Sequence, residues 1–212
     1  MKNIKSLLFL ICSIAVILTS CSKDDDAAST ASSCVTNTTA SGSITVGSET
    51  MSGVYLSPCY TGFADMAGQE IFPSDVKSGY TAVVVTGDTA ISEEMLMYTD
   101  TACSTPSMTW KQGRSEFTVG SASGSNYAVT YKDATVKILP STDAAKSHME
   151  TFAAAVNLVA TFVVGTETNV TSSGNTKYNL VLVTSTTVKT GDASDNATPS
   201  EADSMVMTKS CE

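Results

Sequence analysis

The sequence is poor in the residues that catalysis uses. It holds one histidine, His148, and no G-x-S-x-G, HExxH or phosphate-loop pattern. No nucleophile lies at a recognisable spacing from a base, so enzymatic activity is not expected and no catalytic residue is assigned. Glu93-Glu94 has the composition of a glycosidase pair, but neighbours on a strand point to opposite faces and cannot converge on one bond. Basic charge is also scarce, with 12 Lys and Arg against 21 Asp and Glu. That balance gives no electrostatic footprint for nucleic acid. No apolar run reaches the roughly 20 residues a membrane-spanning helix needs; the run Leu7–Leu18 has 12. The cysteines include no CxxC pair, so zinc is not expected, and neither is any other metal or cofactor.

What the chain does have begins at its start. Lys2 and Lys5 precede the apolar run, and Leu18-Thr19-Ser20-Cys21 closes it, the layout of a secretory signal. The closing four residues resemble a bacterial lipobox. That resemblance implies that Cys21 becomes the first mature residue and carries acyl chains, which makes the membrane a partner; two or more chains hold a protein stably. Ser22-Lys23-Asp24-Asp25-Asp26 resembles the Lys-(Asp/Glu)₂ export signal of Bacteroidota-type lipoproteins, carried here by Lys23, Asp24 and Asp25. It implies an outer-membrane location, preferably the cell surface, with the periplasmic face as the alternative. A solvated acidic run and a weak cation site are the competing readings of these aspartates.

Composition divides the chain into a signal at 1–20, a lipidated tether at 21–43 and a β domain at 44–212. The tether, rich in Ser, Thr, Ala and Asp, lacks apolar periodicity and would reach roughly 25 Å. Loss of Lys2 and Lys5 with the signal brings the formal charge to −11, 10 basic against 21 acidic residues. Ser and Thr supply 61 of 212 residues, a balance that favours strands and turns. Cys34, Cys59, Cys103 and Cys211 remain as disulfide candidates outside the cytoplasm. Three pairings are open, and Cys59–Cys103 with Cys34–Cys211 is the expected one.

Strand-like runs dominate the domain. Residues 50–57, 80–86, 90–98, 108–111, 115–119, 127–139, 159–164, 178–188 and 205–208 each have strand character, with a Gly87-Asp88 hairpin and a Gln112-Gly113 turn between 108–111 and 115–119. In the run 127–139 the apolar phase changes from Tyr127, Val129 and Tyr131 to Ala134, Val136 and Ile138, which requires a bulge near Lys132-Asp133. Met149, Phe152, Ala153 and Val156 recur at helical spacing after a Thr142 or Asp143 N-cap. His148 falls on the polar side of that helix, beside Lys146 and Glu150, as a solvated residue. Gly165–Lys177 and Asp192–Glu201 read as polar loops. The pattern is all-β, an antiparallel meander closing into a barrel with one short helix between later strands.

Ser52-Gly53-Val54-Tyr55-Leu56-Ser57-Pro58-Cys59, Tyr98-Thr99-Asp100-Thr101-Ala102-Cys103-Ser104-Thr105-Pro106 and Val129-Thr130-Tyr131-Lys132-Asp133-Ala134-Thr135 resemble motifs of small bacterial lipoproteins with lipocalin-like barrels. The resemblance covers roughly residues 50–155 and implies the barrel, not an activity. Val54 and Tyr55 depart from the usual Thr and Trp of the first motif.

Single-face rows are the candidates for lining a lumen. They are Met95 with Met97, Met205 with Met207, and Tyr127, Val129 and Tyr131, joined by Tyr55. The bland alternative is a core filled by these side chains. Trp110 and Phe117, flanking the expected turn, suit a barrel mouth or a sugar-stacking platform. Two functions follow: a non-catalytic surface lipoprotein binding a small apolar or amphipathic ligand, or a structural lipoprotein with a filled core and loop contacts to protein or glycan. No particular protein partner is indicated.

Overall fold

The computed structural model of the chain describes residues 35–171, 174–202 and 205–211. The signal, Cys21, Lys23, Asp24, Asp25 and Cys34 lie outside them. Among the described residues, strands β1 (Ile44–Val46) and β2 (Glu49–Met51) form a small hairpin of their own. The main sheet contains β3 (Val54–Leu56), β4 (Ser78–Gly87), β5 (Ala90–Tyr98), β6 (Pro106–Ser123) and β7 (Asn126–Pro140). Helix α1 (Asp143–Ala155) follows, then β8 (Thr168–Thr171), β9 (Thr176–Val183), β10 (Thr187–Thr190) and β11 (Met207–Cys211). Every pairing is antiparallel. β3 to β7 run as a meander, β7, β9, β10 and β11 continue it, and β11 returns to β3. Eight strands thus form a ring, which leaves no long unpaired edge. β8 is added outside it, on the part of β7 that β9 leaves unpaired.

The phase change in β7 has its physical counterpart. Asp133 and Val136 pair with Arg114 and Gln112, three steps on β7 against two on β6. The extra residue keeps Val129, Tyr131, Asp133, Val136 and Ile138 on the inner face. The Gln112-Gly113 turn, by contrast, is a correction: β6 runs straight through it, paired on both sides. Gly113 is there for close approach, since a Cβ would collide with Thr135 Oγ1 across the bulge.

Three other elements differ from expectation. Residues 159–164 form no strand, and Val159 is fully exposed. The run 178–188 is cut into β9 and β10 because Thr184 Oγ1 accepts from Thr187 N at 2.9 Å and Thr186 N at 3.3 Å, a hydroxyl-supported turn. The expected polar loop 165–177 contains β8. Residues 35–43, assigned to the tether on composition, lie along the barrel wall. Ser41 N donates to Val85 O at 2.9 Å, Ser41 Oγ to Thr86 O at 3.0 Å and Ser43 N to Asp88 Oδ1 at 3.1 Å, and Thr36 is buried. Short polar side chains bind a wall as readily as they solvate a linker.

Two apolar clusters fill the barrel ends. The first joins Ile44, Val46 and Met51 of the β1–β2 hairpin to Tyr55, Val83, Val85, Ile91, Phe117 and Val181. The second joins Met97, Met108, Trp110 and Ile138 to Phe63 and Phe72 of the β3–β4 connection and to Ala145, Met149 and Ala153 of α1. The helix starts where Thr142 Oγ1 accepts from Ala145 N at 3.1 Å and donates to Asp75 Oδ2 at 2.7 Å; Ser107 Oγ donates to the other Asp75 oxygen at 2.6 Å. One carboxylate therefore ties the helix start to the start of β6. Burying Met149 completely stabilises this docking by about 1.5–3 kcal/mol. His148 is half-buried rather than solvated, with Nε2 2.8 Å from the Glu70 carbonyl.

On the outer wall the Cys59–Cys103 disulfide is formed, over Ala82, Leu96 and Tyr98. Asp100 organises the loop that presents Cys103. Its carboxylate accepts from Ala102 N, Ser104 N, Ser104 Oγ and Thr105 N at 2.7–3.1 Å, which holds its pKa well below the usual carboxylate range. Cys211 is also disulfide-bonded. Its expected partner, Cys34, lies outside the described residues.

Candidate functional site

Between the two apolar clusters the barrel interior turns polar. Inward rows on β5, β6 and β7 are in register: Met95, Trp110 and Ile138, then Glu93, Gln112 and Val136, then Ile91, Arg114 and Asp133. Arg114, the only arginine in the chain, is the hub. Its Nε donates to Glu93 Oε2 at 2.8 Å, Nη2 lies 2.7 Å from the same oxygen, and Nη1 pairs with Asp133 Oδ1. The guanidinium sits 5.0 Å over the Tyr131 ring, a cation–π contact on a ring that itself stacks on Phe117. β9 completes the belt. Lys177 Nζ lies 2.6 Å from Asp195 Oδ1 and 3.7 Å from Asp133 Oδ2, and Asn179 Nδ2 donates to the Tyr131 hydroxyl at 3.1 Å.

Burial opposes the Arg114 charge, but Glu93, Tyr131 and Asp133 outweigh it and hold the guanidinium firmly protonated. Burial, followed by the nearby Glu93 charge, pushes the Tyr131 phenol well above its ordinary pKa. Tyr131 therefore stays neutral, able to accept from Asn179 but not to act as a base.

A cavity of about 160 Å³ opens beside this belt. Its polar wall includes Glu93, Gln112, Arg114, Asp133, Lys177 and Asp192, and its apolar wall Val83, Met95, Trp110 and Met207. The segment from Thr190 to Ala193 closes one side. A Cβ on Gly191 would come within 2.9 Å of Asn179 Oδ1 and 3.0 Å of Glu201 O, so only glycine lets this segment lie so close.

Of the residues expected to line the lumen, Met95 and Met207 do so. Tyr55, Val129 and Tyr131 are buried in the first cluster with Tyr127 against it, and Met97 is in the second; Met205 precedes β11 and is half-buried. Trp110 is at the cavity wall and edge-on to Phe152, with ring centroids 6.3 Å apart, rather than flanking a turn. Sequence reasoning passed over Arg114, Asp133 and Lys177 as lumen residues and weighed Glu93 only as half of a catalytic pair. Parity could have found them, since Arg114 shares the phase of Trp110, and Asp133 that of Tyr131.

The outer face of the same strands carries a second buried charge group. Glu94 is 1% exposed and pairs across strands with Lys111. Ser92 Oγ donates to Glu94 Oε1 at 3.1 Å, but the Lys111 ammonium is 2.8 Å from Glu167 Oε2 and donates to Asn37 Oδ1. Burial raises the Glu94 pKa, and the Thr38 hydroxyl, the Lys111 charge and Ser92 offset that only in part. Burial works the same way on Glu167, yet Lys111 and Lys137 outweigh it and hold its carboxyl below the usual range.

No group of three or more His, Cys, Asp or Glu among the described residues could hold a metal ion. Comparison with protein families finds no family model that matches the chain, and comparison with curated proteins finds no match.

Proposed function

We propose that this chain is a lipid-anchored, non-catalytic binding protein of the outer membrane, facing the cell surface, whose lipocalin-like barrel holds a small amphipathic ligand. The observation that carries the reading is the cavity of about 160 Å³ with one apolar and one charged wall. Drug-sized ligands need about 300 Å³ or more, whereas an apolar cavity of roughly 150 Å³ accepts benzene. The ligand is therefore small. The one imidazole is bonded to the Glu70 carbonyl and Tyr131, the tyrosine beside Arg114, is held neutral, which supports binding without chemistry. The lipobox resemblance at Cys21 and the Lys23-Asp24-Asp25 resemblance support the address.

The test has two arms. Palmitate labelling of the full chain in its cell should mark the wild type and not Cys21→Ser; equal labelling would remove the anchor. Extraction of natively purified protein followed by mass spectrometry should yield a small molecule that is lost from Met95→Trp, a substitution that fills the cavity. Identical extracts from both proteins would end the lumen reading.

A second reading is an interaction lipoprotein with a filled core. Val159, at 102% relative exposure, and the exposed Val163 and Val164 favour it, as three apolar side chains on one loop beyond α1. Loss of a pulled-down partner on replacing all three by serine, with Met95→Trp silent, would select it.

A further inference from the structure

We propose that residues 35–43 are a releasable strap over the outer barrel wall, docked while Glu94 beneath them is protonated and freed as it ionises. This goes beyond the lumen reading and does not depend on it. The strap is held by polar contacts. Asn37 Oδ1 accepts from the Lys111 ammonium, and the Thr38 hydroxyl lies against the Glu94 carboxyl. Ser41 N and Oγ donate to the Val85 and Thr86 carbonyls at 2.9 and 3.0 Å, and Ser43 N donates to Asp88 Oδ1 at 3.1 Å. Gly42 lies so close that a Cβ would come within 2.7 Å of Asp88 Oδ1 and 2.8 Å of the Gly87 carbonyl carbon. Bonds of this kind are individually weak, and apolar burial does not reinforce them, since Val35 stays 40% exposed. Docking also has a cost: among the described residues, Thr36 Oγ1 and Glu94 Oε2 are buried without a hydrogen-bond partner. The strap should therefore open while the barrel stays folded.

Glu94 makes that opening sensitive to pH. It is 1% exposed, and the groups around it do not offset its charge. Its cross-strand neighbour on β4 is the apolar Ala82, and β5 itself supplies one hydroxyl, Ser92. On β6 the Lys111 ammonium is bonded to Asn37 and lies 2.8 Å from Glu167 Oε2. Glu167, also paired with Lys137, adds a like charge. Release of the strap returns the Glu94 carboxyl to water, so the docked state binds its proton more tightly than the open state does. Docking is then strongest below the ordinary carboxylate range and weakens as pH rises through the docked pKa. The docking constant falls about tenfold for each unit by which that pKa exceeds the open one. Opening bares Glu94 and Lys111 on the outer wall, away from the lumen.

The experiment follows the Ser41 amide of the full chain by NMR hydrogen exchange between about pH 4 and 8, as protection relative to the free-peptide rate at each pH. The Val85 amide, which donates to Gly53 O at 3.0 Å inside the barrel wall, is the reference. Ser41 should be at least about tenfold less protected than Val85, and its protection should fall several-fold as pH rises. Asp88→Asn keeps an acceptor for Ser43 N while removing the carboxylate at the other end of the strap, and should preserve that fall. Glu94→Gln should abolish it. In a second measurement, Gly42→Val should hold the strap off the wall, and the Glu94 carboxyl, titrated by carbon NMR, should then drop toward its ordinary value of 4.5; this variant decides alone if Glu94→Gln does not fold. Ser41 protection that equals that of Val85, that is independent of pH in the wild type, or that still falls in Glu94→Gln overturns the proposal. So does a Glu94 titration that Gly42→Val leaves unchanged. None of these outcomes bears on ligand binding, so failure here leaves the lumen reading as it stands.

Discussion

Glu93 and Glu94 are neighbours in the chain and opposites in circumstance. Glu93 faces the lumen and meets Arg114 at 2.7–2.8 Å through two nitrogens. Glu94 faces outward beneath the segment at residues 35–43, and among the described residues it has no ion pair; the Lys111 ammonium across from it is taken by Glu167. Burial penalises both carboxylates. Inside, the penalty is met by a cation that two carboxylates and a tyrosine ring hold in place; outside, it is met by hydroxyls, and Glu94 responds with a raised pKa. A carboxyl in a barrel wall can be given a dedicated cation, or be left to hydroxyls and lean toward neutrality. This barrel does each on one face of the same strand.

Removing the inner partner should therefore have the largest effect. Arg114→Met leaves Glu93 and the almost fully buried Asp133 without their principal cation, and about 3–5 kcal/mol of unfolding free energy should be lost. Urea unfolding at pH 7 measures it. Arg114→Lys should recover only part, because a point charge cannot hold two carboxylates and lie flat on Tyr131. The comparison breaks if Arg114→Met costs less than the equivalent change outside.

That equivalent is Lys111→Met, for which a loss of about 1–2 kcal/mol is expected in the same measurement. The outer cluster has two ways to adapt. Glu167 keeps Lys137 at 3.1 Å, and Glu94 can take up a proton. A loss as large as that of Arg114→Met would mean that the Lys111 charge holds Glu94 ionised after all.

Much of this architecture was legible in the sequence and some of it was not, for identifiable reasons. Period-two alternation placed Glu93 and Glu94 on opposite faces and the phase change in β7 gave its bulge; Cys59–Cys103, the preferred one of three pairings that the sequence left open, is formed. The break between β9 and β10 was missed because it is made by a Thr184 hydroxyl within a run of threonines that reads as strand. β6 was divided at Gly113 because close approach to Thr135 and a turn call for the same residue. At the candidate site, apolar rows drew attention to Met95 and Met207, which do line the cavity. The belt was overlooked because a charged residue on a strand usually faces water. Parity with Trp110 puts Arg114 on the inner face, but its partners, 19 residues away at Asp133 and 21 away at Glu93, meet it only once the strands are in register.

The smallest predicted effect is the sharpest test of the contrast. In the folded chain the Glu94 carboxyl has a pKa above its ordinary value of 4.5, so the native state binds that proton more tightly than the unfolded state. Glu94 therefore lowers stability as pH rises from the ordinary carboxylate range through its folded pKa, and has no such effect at lower pH. Glu94→Gln keeps the shape and an acceptor for Ser92 while removing the charge. Wild type and variant should have superimposable stability near pH 4 and diverge toward pH 7, with the variant more stable by at most about 1 kcal/mol, the net worth of one hydrogen bond. Glu167, whose lowered pKa gives the opposite slope, is present in both proteins and cancels. A variant less stable than wild type at pH 7 would show that Glu94 is stabilised as a carboxylate, and the contrast between the two faces of β5 would then fail.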